Sequence, residues 1–496
     1  MMKLNLITIC LCIFCVQSVF SQTKKPTVLP MTLLEEGDET LVKAKVNHVL
    51  DDGRSVDIMY NRLELIFSIS DTNLKIENTK THKIRDYYEN CRVEKVYEIN
   101  QDFYLKLKPR PVTKKSLFFK IDLSSLNLTP LKVTIGKREN RPWNEHFMKS
   151  ESDNKYFLSG YIDTREEMLT IRTYGTDMKR FYEKRMPISG YSHKLLGYEI
   201  DSEGNAYVIL KYKEGRNTNR KEIIKLYVAL MDLSEITEHE ISTKKGTSIG
   251  DFRILAKVGS GLFISGQYYD ENIELNKNEN KQAVTNNVDY INRLFFPTAG
   301  KITFSFDNQN GFSEMKYYRY PKEVLKPSFA KKKRYTKVTA QDMLSGIPGL
   351  KVNDMIYLSN GNIAELSEVF YSKGYTSPKK AERNAHFLGK TLLTVLSPEG
   401  EIQWIKSIDK FHRKEGSALG VTSEIKATDK NILLTYVYGK ENFLCVYDLE
   451  TGNEMHYVFD NGFDTSPSRL KVLSDQTVVV NGWVGKDARY GKLEIK

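Results

Sequence analysis

The chain has 496 residues, of which 40% are hydrophobic and 11% aromatic, so it can bury one large core or two ordinary ones, and disorder is excluded. Its five cysteines are too few for a fold of this length that depends on disulfides. The formal net charge of +11 at pH 7 favours an anionic partner.

Residues 1–21 are predicted to be a secretory signal peptide. Lys3 precedes the apolar run "LNLITICLCIFCV", and the small-residue site "SVFS" overlaps the end of the segment just before Gln22. Neither Cys10 nor Cys15 follows the small residue that a lipid-anchor site needs. We therefore expect a protein exported to the periplasm, the outer surface or the extracellular space. There it meets anionic glycans and acidic proteins sooner than nucleic acid.

Hairpins recur along residues 91–496, and their turns are marked by side chains that bond to the backbone ahead of them. The residues that open these turns are Asp122, Asp232, Asp307, Ser397 and Asp448. A second class of hairpin precedes them, and the two classes together give four-stranded antiparallel units. The predicted units begin near residues 91, 143, 193, 250, 350, 420 and 468. This spacing predicts an all-β chain folded as a single β-propeller of four-stranded antiparallel blades.

The last unit stops at its third strand, "YGKLEIK", and would leave an unpaired edge. We expect the N-terminal segment, residues 22–90, to contribute the closing strand or strands. Its stretch 61–80 has strand character and is predicted to close a seven-bladed ring. If residues 31–85 instead form a blade of their own, the count is eight. A two-domain α/β fold is disfavoured because helical runs are scarce.

The turn in "YDLETGNEMH" resembles the repeats of quinoprotein-type β-propellers, which have the pattern Asp-x-x-Thr-Gly-x-x-x-Trp. The matching residues are Asp448, Thr451 and Gly452. His456 stands where the family has Trp, whereas "LSPEGEIQWIKSI" keeps it as Trp404, four residues after Gly400. Residues 353–460 carry this match, and part of them also resembles exported propellers of Bacteroidetes-type bacteria. The resemblance implies that the Trp docks between blades. The family's adjacent Cys-Cys pair is absent, so no quinone or other cofactor is expected.

Three insertions are predicted at about 270–300, 321–349 and 372–390, all at the same end of the sheets. Long loops on a rigid scaffold commonly carry recognition. The candidate ligand-binding residues in or beside these insertions are Lys331, Lys332, Lys333, Arg334, Tyr335, Tyr317, Tyr318, Tyr320, Lys379 and Lys380. A basic rim beside aromatic residues suits an anionic glycan or an acidic protein surface. The alternative is a solvated charge run that keeps the protein soluble.

Gln267 and Glu368 complete the candidate set, because they occupy equivalent positions in second strands. They can either face a central channel and contact a ligand or bond within the blade.

Two further motifs are interpreted as structural. Asp201, Glu203 and Asn205 alternate like calcium ligands but lack the Gly and Glu that an EF-hand needs further on, so we expect a turn and no metal. Ser248 in "GTSIG" fits a nucleophile elbow, but a strand follows it where the elbow needs a helix.

The leading hypothesis from the sequence is an exported, monomeric, non-catalytic binding or protein-interaction module that uses the end with the insertions. The alternative is a polysaccharide-active lyase or hydrolase with its site over the central channel.

Overall fold

A computed structural model describes Thr27–Leu29, Thr32–Leu33 and most of residues 46–495. Residues 1–26, which include the predicted signal peptide, lie outside this description. The internal gaps of five or more residues are 34–45, 84–90, 110–116, 132–145, 150–155, 215–220, 271–297, 326–346, 377–381, 416–422 and 460–468.

The described chain is almost entirely β-strand, and its first four sheets follow each other in chain order. Sheet 1 contains β3 (Val46–Val49), β4 (Ser55–Tyr60), β5 (Glu64–Ser70) and β6 (Ile76–Lys83). Sheet 2 contains β7 (Cys91–Ile99), β8 (Asp102–Pro109), β9 (Leu117–Ile121) and β10 (Leu128–Leu131). Sheet 3 contains β11 (His146–Lys149), β12 (Tyr156–Asp163), β13 (Met168–Gly175) and β14 (Arg180–Pro187). Sheet 4 contains β15 (Tyr191–Ile200), β16 (Ala206–Glu214), β17 (Lys221–Ala229) and β18 (Thr237–Glu240).

The next two sheets each carry one additional short strand. Sheet 5 contains β19 (Thr247–Ala256), β20 (Leu262–Asp270), β21 (Thr298–Asp307), β22 (Gly311–Phe312) and β23 (Lys316–Arg319). Sheet 6 contains β24 (Leu350–Tyr357), β25 (Ile363–Thr376), β26 (Glu382–Leu396), β27 (Ile402–Ile408) and β28 (His412–Glu415). A single turn of helix, α1 (Lys322–Leu325), follows β23.

The last two sheets combine strands from both ends of the chain. Sheet 7 contains β29 (Ser423–Ala427), β30 (Asn431–Tyr438), β31 (Glu441–Asp448), β32 (Glu454–Phe459) and, parallel to β32, β1 (Thr27–Leu29). Sheet 8 contains β33 (Arg469–Val472), β34 (Thr477–Val484), β35 (Asp487–Glu494) and, antiparallel to β35, β2 (Thr32–Leu33).

The predicted repeat is confirmed as a series of antiparallel sheets whose strands follow one another as in propeller blades. Seven sheets begin within a few residues of the predicted unit starts. Residues 46–83 form an eighth sheet in the described chain, so the count of seven is not confirmed. Two features of the structure differ from the sequence prediction. The stretch 61–80 contributes to β5 and β6 of sheet 1, and the strand beside β35 is β2.

The first strands of consecutive sheets lie side by side from sheet 4 to sheet 8, in the order β15, β19, β24, β29 and β33. Apolar clusters fill the spaces between neighbouring sheets and do not form one central core.

The burial of each strand follows from this packing of the sheets. The interior strand β16 buries most of its residues, whereas the edge strand β6 alternates between half-buried and exposed positions, as expected for a strand that is covered on one face.

Outer strands also contact the turn between the third and fourth strands of the next sheet. In sheet 1, Lys80 donates to Asn127 of sheet 2 at 2.6 Å, and His82 donates to the carbonyl of Leu126 at 2.8 Å. In sheet 3, Tyr182 donates to the carbonyl of Ala229 in sheet 4 at 3.0 Å. In sheet 5, Lys316 donates to the Glu399 carbonyl of sheet 6 at 2.9 Å. Three pairs of neighbouring sheets therefore share one mode of docking.

Among the described residues, no helix has the length and apolar character needed to cross a membrane.

Candidate functional site

Connections at the two ends of the sheets differ in length. At the tight-turn end, hairpins close over a few residues, as from Asp201 to Asn205 and from Asp448 to Asn453. At the long-connection end, β20 stops at Asp270 and β21 begins at Thr298. The candidate site lies where buried polar side chains join sheets 5, 6 and 7, from the middle of the strands to the long-connection end.

Sheets 5 and 6 are joined by a buried ion pair. Lys301 on β21 contacts Glu365 on β25, and both side chains have no exposed surface. Ser265 on β20 donates to the same carboxylate, and Ser367 donates to it at 2.8 Å. The carboxylate of Glu365 is thus surrounded by donors from three strands.

Gln267 and Tyr320 extend this group of residues. Gln267 is fully buried; its amide donates to Ser367 at 3.0 Å and accepts from the Tyr320 hydroxyl at 2.6 Å. Burial holds the pKa of Tyr320 well above its ordinary value, so the hydroxyl is a donor at neutral pH. We call the six residues the sheet 5–6 network: Ser265, Gln267, Lys301, Tyr320, Glu365 and Ser367.

A second buried ion pair lies within sheet 6 and is bonded to sheet 7 through Ser423. Lys410, between β27 and β28, contacts Glu368 on β25, and each is 1% exposed. Ser423 at the start of β29 donates to Glu368 at 3.1 Å, and Asn353 donates to its other oxygen at 3.1 Å. We call these four residues the sheet 6–7 network.

Strand alternation explains how β25 serves both networks. Glu365 and Ser367 are two residues apart and therefore share the face of β25 that meets sheet 5. Leu366 and Glu368 lie on the opposite face, which meets sheet 7. β25 therefore carries carboxylates on both of its faces.

Both ammonium groups lie in a low-dielectric environment. Burial lowers the pKa of Lys301 and of Lys410, and the paired carboxylate offsets part of that effect in each case. A buried ion pair contributes little net stability over an apolar pair, but removal of one partner leaves an uncompensated charge. Such pairs can instead specify which strands lie together.

Four of the predicted ligand-binding residues lie in or beside the two networks: Gln267, Glu368, Tyr320 and Tyr318. Gln267 and Glu368 are buried and bond both within their own sheets and to the next sheet, so of the two alternatives the structure shows bonding, partly within the blade and partly beyond it. Tyr320 is buried and donates to Gln267 of its own sheet. Tyr318 is half-buried on β23 and donates to Glu401 of sheet 6 at 2.5 Å.

Tyr317 on β23 faces the other neighbour, sheet 4. Its hydroxyl accepts from the Lys244 backbone N–H at 2.9 Å, and its ring meets Tyr268 edge-on with centroids 5.3 Å apart. Tyr317 and Tyr318 therefore bridge to different sheets and do not form one aromatic surface.

The predicted basic residues and the neighbouring Tyr335 lie outside the described residues: Lys331, Lys332, Lys333, Arg334, Tyr335, Lys379 and Lys380. The predicted insertion at 372–390 is partly strand. β25 continues to Thr376, β26 begins at Glu382, and β28 pairs with this extension of β26.

The two motifs interpreted as structural are confirmed as such. Asp201 accepts from the backbone N–H groups of Glu203 and Asn205 at 3.0 and 2.9 Å, as a turn residue does. Ser248 lies within β19, paired with Tyr269. Within the described ranges, no group of three or more His, Cys, Asp or Glu residues is arranged to hold a metal ion.

Sequence reasoning missed Lys301, Glu365, Lys410 and Ser423. The available signal was a charged residue within an otherwise apolar strand, as in "GKITFSF" and "NIAELSEVF". Charged residues are rarely buried without a partner, so each predicts a countercharge nearby.

No family model matches the chain, and no curated protein matches it. Solved structures that resemble it include a eukaryotic initiation factor, with 8% identity, a TM-score of 0.46 and coverage of 92% of this chain and 87% of that one. Prolyl oligopeptidase B from Galerina marginata is 12% identical with a TM-score of 0.41, and the match covers 89% of this chain and 55% of the peptidase.

A europium-containing methanol dehydrogenase is 8% identical with a TM-score of 0.43, and the match covers 93% of this chain and 88% of that one. The TM-scores are all below 0.5, so the description of the fold rests on the sheet topology. The quinoprotein-type resemblance of residues 353–460 stays a prediction.

Proposed function

We propose that the protein is an exported, non-catalytic β-propeller that binds an anionic glycan or an acidic protein surface at the long-connection end. Eight blades are proposed, with sheet 1 as the additional blade and β2 as the fourth strand of sheet 8. The observation that carries the proposal is the pair of buried networks that join sheets 5, 6 and 7, in which Tyr320 and Lys410 lie toward the long connections.

Rigidity and charge support this function. Loops recognise ligands well when a rigid scaffold positions their ends. Lys301–Glu365 and Lys410–Glu368 supply that rigidity at the cost of burying four charges. The sequence of the long connections adds the basic residues 331–334 and 379–380, and exposed basic clusters attract polyanions.

The proposal is tested by retention on immobilised heparin, a sulfated glycan. Lys379→Ser/Lys380→Ser removes two positive charges from the long-connection end. The matched control, Lys75→Ser/Lys430→Ser, removes two exposed lysines from the tight-turn end and leaves the same net charge. We expect the first variant to elute at a lower salt concentration than the control. It makes fewer lysine contacts with the glycan, so its binding is weaker and is overcome by less salt.

Equal elution of the two variants would contradict the proposed binding end. Depolymerisation of heparin or polygalacturonate by the wild-type protein would support the enzyme alternative instead.

A further inference from the structure

Sheet 3 holds a cluster of three arginines around one carboxylate. Glu183 on β14 accepts from Arg172 at 2.7 Å and from Arg180 at 2.5 Å, both through Oε2. Its Oε1 accepts from Arg185, through Nε at 2.9 Å, and lies 2.8 Å from Nη2 of the same side chain. Both carboxylate oxygens are therefore occupied by guanidinium groups.

Local backbone geometry brings the three arginines together. Arg172 on β13 is the direct cross-strand partner of Glu183, and Arg185 is two residues further along β14, so both share its face. Arg180 is three residues before Glu183 and would lie on the opposite face of a regular strand. A register shift pairs Tyr174 with Arg180 and leaves Phe181 without a partner in the ladder, and such a bulge reverses the alternation.

The cluster carries an excess of positive charge. Among the described ion pairs, three guanidinium groups share the single carboxylate of Glu183, and two of them, Arg180 and Arg185, are exposed. Other partly exposed ion pairs of the described chain, such as Lys211–Glu222 and Lys316–Glu401, are one-to-one.

Burial separates the roles of the three arginines. The Arg172 side chain is 7% exposed, whereas Arg180 and Arg185 are 51% and 54% exposed. Partial burial acts to raise the pKa of Glu183, but hydrogen bonds and charge from Arg172 and Arg185 outweigh it and hold the pKa below its ordinary value. Glu183 is thus a fixed anion that holds two outward-facing guanidinium groups in place.

Those two groups keep donors that Glu183 does not use. Among the described contacts, Arg180 uses Nη1 and Arg185 uses Nε and Nη2, out of five N–H donors on each guanidinium. Guanidinium groups that are already held in position lose little conformational freedom when they bind a further anion.

We propose that Arg180 and Arg185 form a binding site for a dianionic tetrahedral oxyanion, a sulfate or phosphate group, held in place by Glu183 and Arg172. Charge favours a dianion over a carboxylate, because two exposed guanidinium groups, those of Arg180 and Arg185, lie side by side at the site. Guanidinium forks match the oxygen spacing of such groups. The proposal is independent of the function proposed above, since it concerns sheet 3 and not the long connections of sheets 5 and 6.

The test is thermal unfolding of the full chain with sodium sulfate or sodium phosphate, at an ionic strength held constant with sodium chloride. A ligand that binds only the folded protein raises Tm in a saturable way. We expect sulfate and phosphate to do so and acetate and chloride not to.

Arg180→Gln/Arg185→Gln removes the exposed donors and should abolish the saturable rise. Arg253→Gln/Arg319→Gln, which removes two exposed arginines from sheet 5, should retain it. Glu183→Gln should show a smaller rise than wild type, because the neutral amide no longer holds Arg180 and Arg185 in place.

An equal rise in wild type and in Arg180→Gln/Arg185→Gln would overturn the proposal, since it would show a general salt effect. Comparison of Arg180→Gln/Arg185→Gln with wild type tests the proposal even if Glu183→Gln fails to fold. Comparison of free sulfate with a sulfated disaccharide then identifies the source of the oxyanion. Tighter binding of the disaccharide indicates a carried sulfate group, and equal binding indicates the free ion.

Discussion

The indole of Trp404 lies against the ring of Tyr447 across the boundary between sheets 6 and 7, with centroids 5.9 Å apart and an interplanar angle of 36°. Gly452, at the turn of sheet 7, adjoins the same indole: a Cβ placed there would lie 3.9 Å from the indole nitrogen. Trp404 thus docks between neighbouring sheets, as the quinoprotein-type resemblance implied. His456 has a different role, since its Nδ1 lies 3.1 Å from the Cys445 sulfur of its own sheet.

Trp404→Ala should lower the free energy of unfolding by about 2 to 3 kcal/mol, below the value for a fully buried Trp because the ring is half-buried. Chemical denaturation measures this change. Gln403→Ala, at the adjacent exposed position, is the control and should change stability by less than about 0.5 kcal/mol. Equal effects of the two substitutions would show that the indole does not join the sheets.

Lys410→Met should cost about 3 to 5 kcal/mol, because it leaves the buried Glu368 carboxylate without its countercharge. The double substitution Lys410→Met/Glu368→Met should cost less than the sum of the single ones, which a double-mutant cycle detects. Lys211→Met, in the exposed pair with Glu222, is the control and should cost about 0 to 1 kcal/mol. Additive effects at Lys410 and Glu368 would mean that the two side chains do not interact.

Asp122 should titrate at unusually low pH. Hydrogen bonds from the hydroxyls of Ser124 and Ser125 lower its pKa from 3.8 to about 2. A depressed carboxyl pKa contributes stability that is present above about pH 4 and is lost as the pH falls through about 2. NMR titration of the carboxyl carbon should therefore give a midpoint near 2. Asp122→Asn should weaken the acid dependence of unfolding, and a midpoint at or above 3.8 would contradict the turn geometry.

Cys445 should resist thiol reagents in the folded protein. The side chain is fully buried and not disulfide-bonded, and burial raises its pKa to about 12. In a Cys91→Ser variant that begins at residue 22, iodoacetamide at pH 8 should label Cys445 only after denaturant is added. Labelling of the native protein at the denatured rate would place the thiol outside the core.

Local patterns predicted the repeat well because hairpins are specified by nearby residues. Alternation and turn residues placed unit starts near 350 and 420, and the strands begin at Leu350 and Ser423. The turn role of Asp448 was predicted for the same reason, and its carboxylate accepts from the Thr451 N–H at 2.7 Å.

The candidate site was less predictable because its contacts are non-local. Gln267 and Ser367 are 100 residues apart, and no local pattern specifies which sheet face meets which neighbour. Gln267 and Glu368 were singled out by their equivalent positions, but the lysines that neutralise the buried carboxylates were not. The closing strand was misplaced for a related reason. Thr32–Leu33 is too short for its alternation to be recognised, whereas residues 61–80 have a clear strand pattern of their own.

If the long-connection end of sheets 5 to 7 is the binding end, a heparin oligosaccharide should change hydrogen–deuterium exchange there. We expect slower exchange, on binding, in peptides that cover residues 298–303, 316–325 and 347–352, which border the long connections. Peptides over the tight turns at 122–127, 307–311 and 448–453 should be unchanged. Protection centred on the tight turns, or no protection at the long-connection end, would contradict this placement of the binding end.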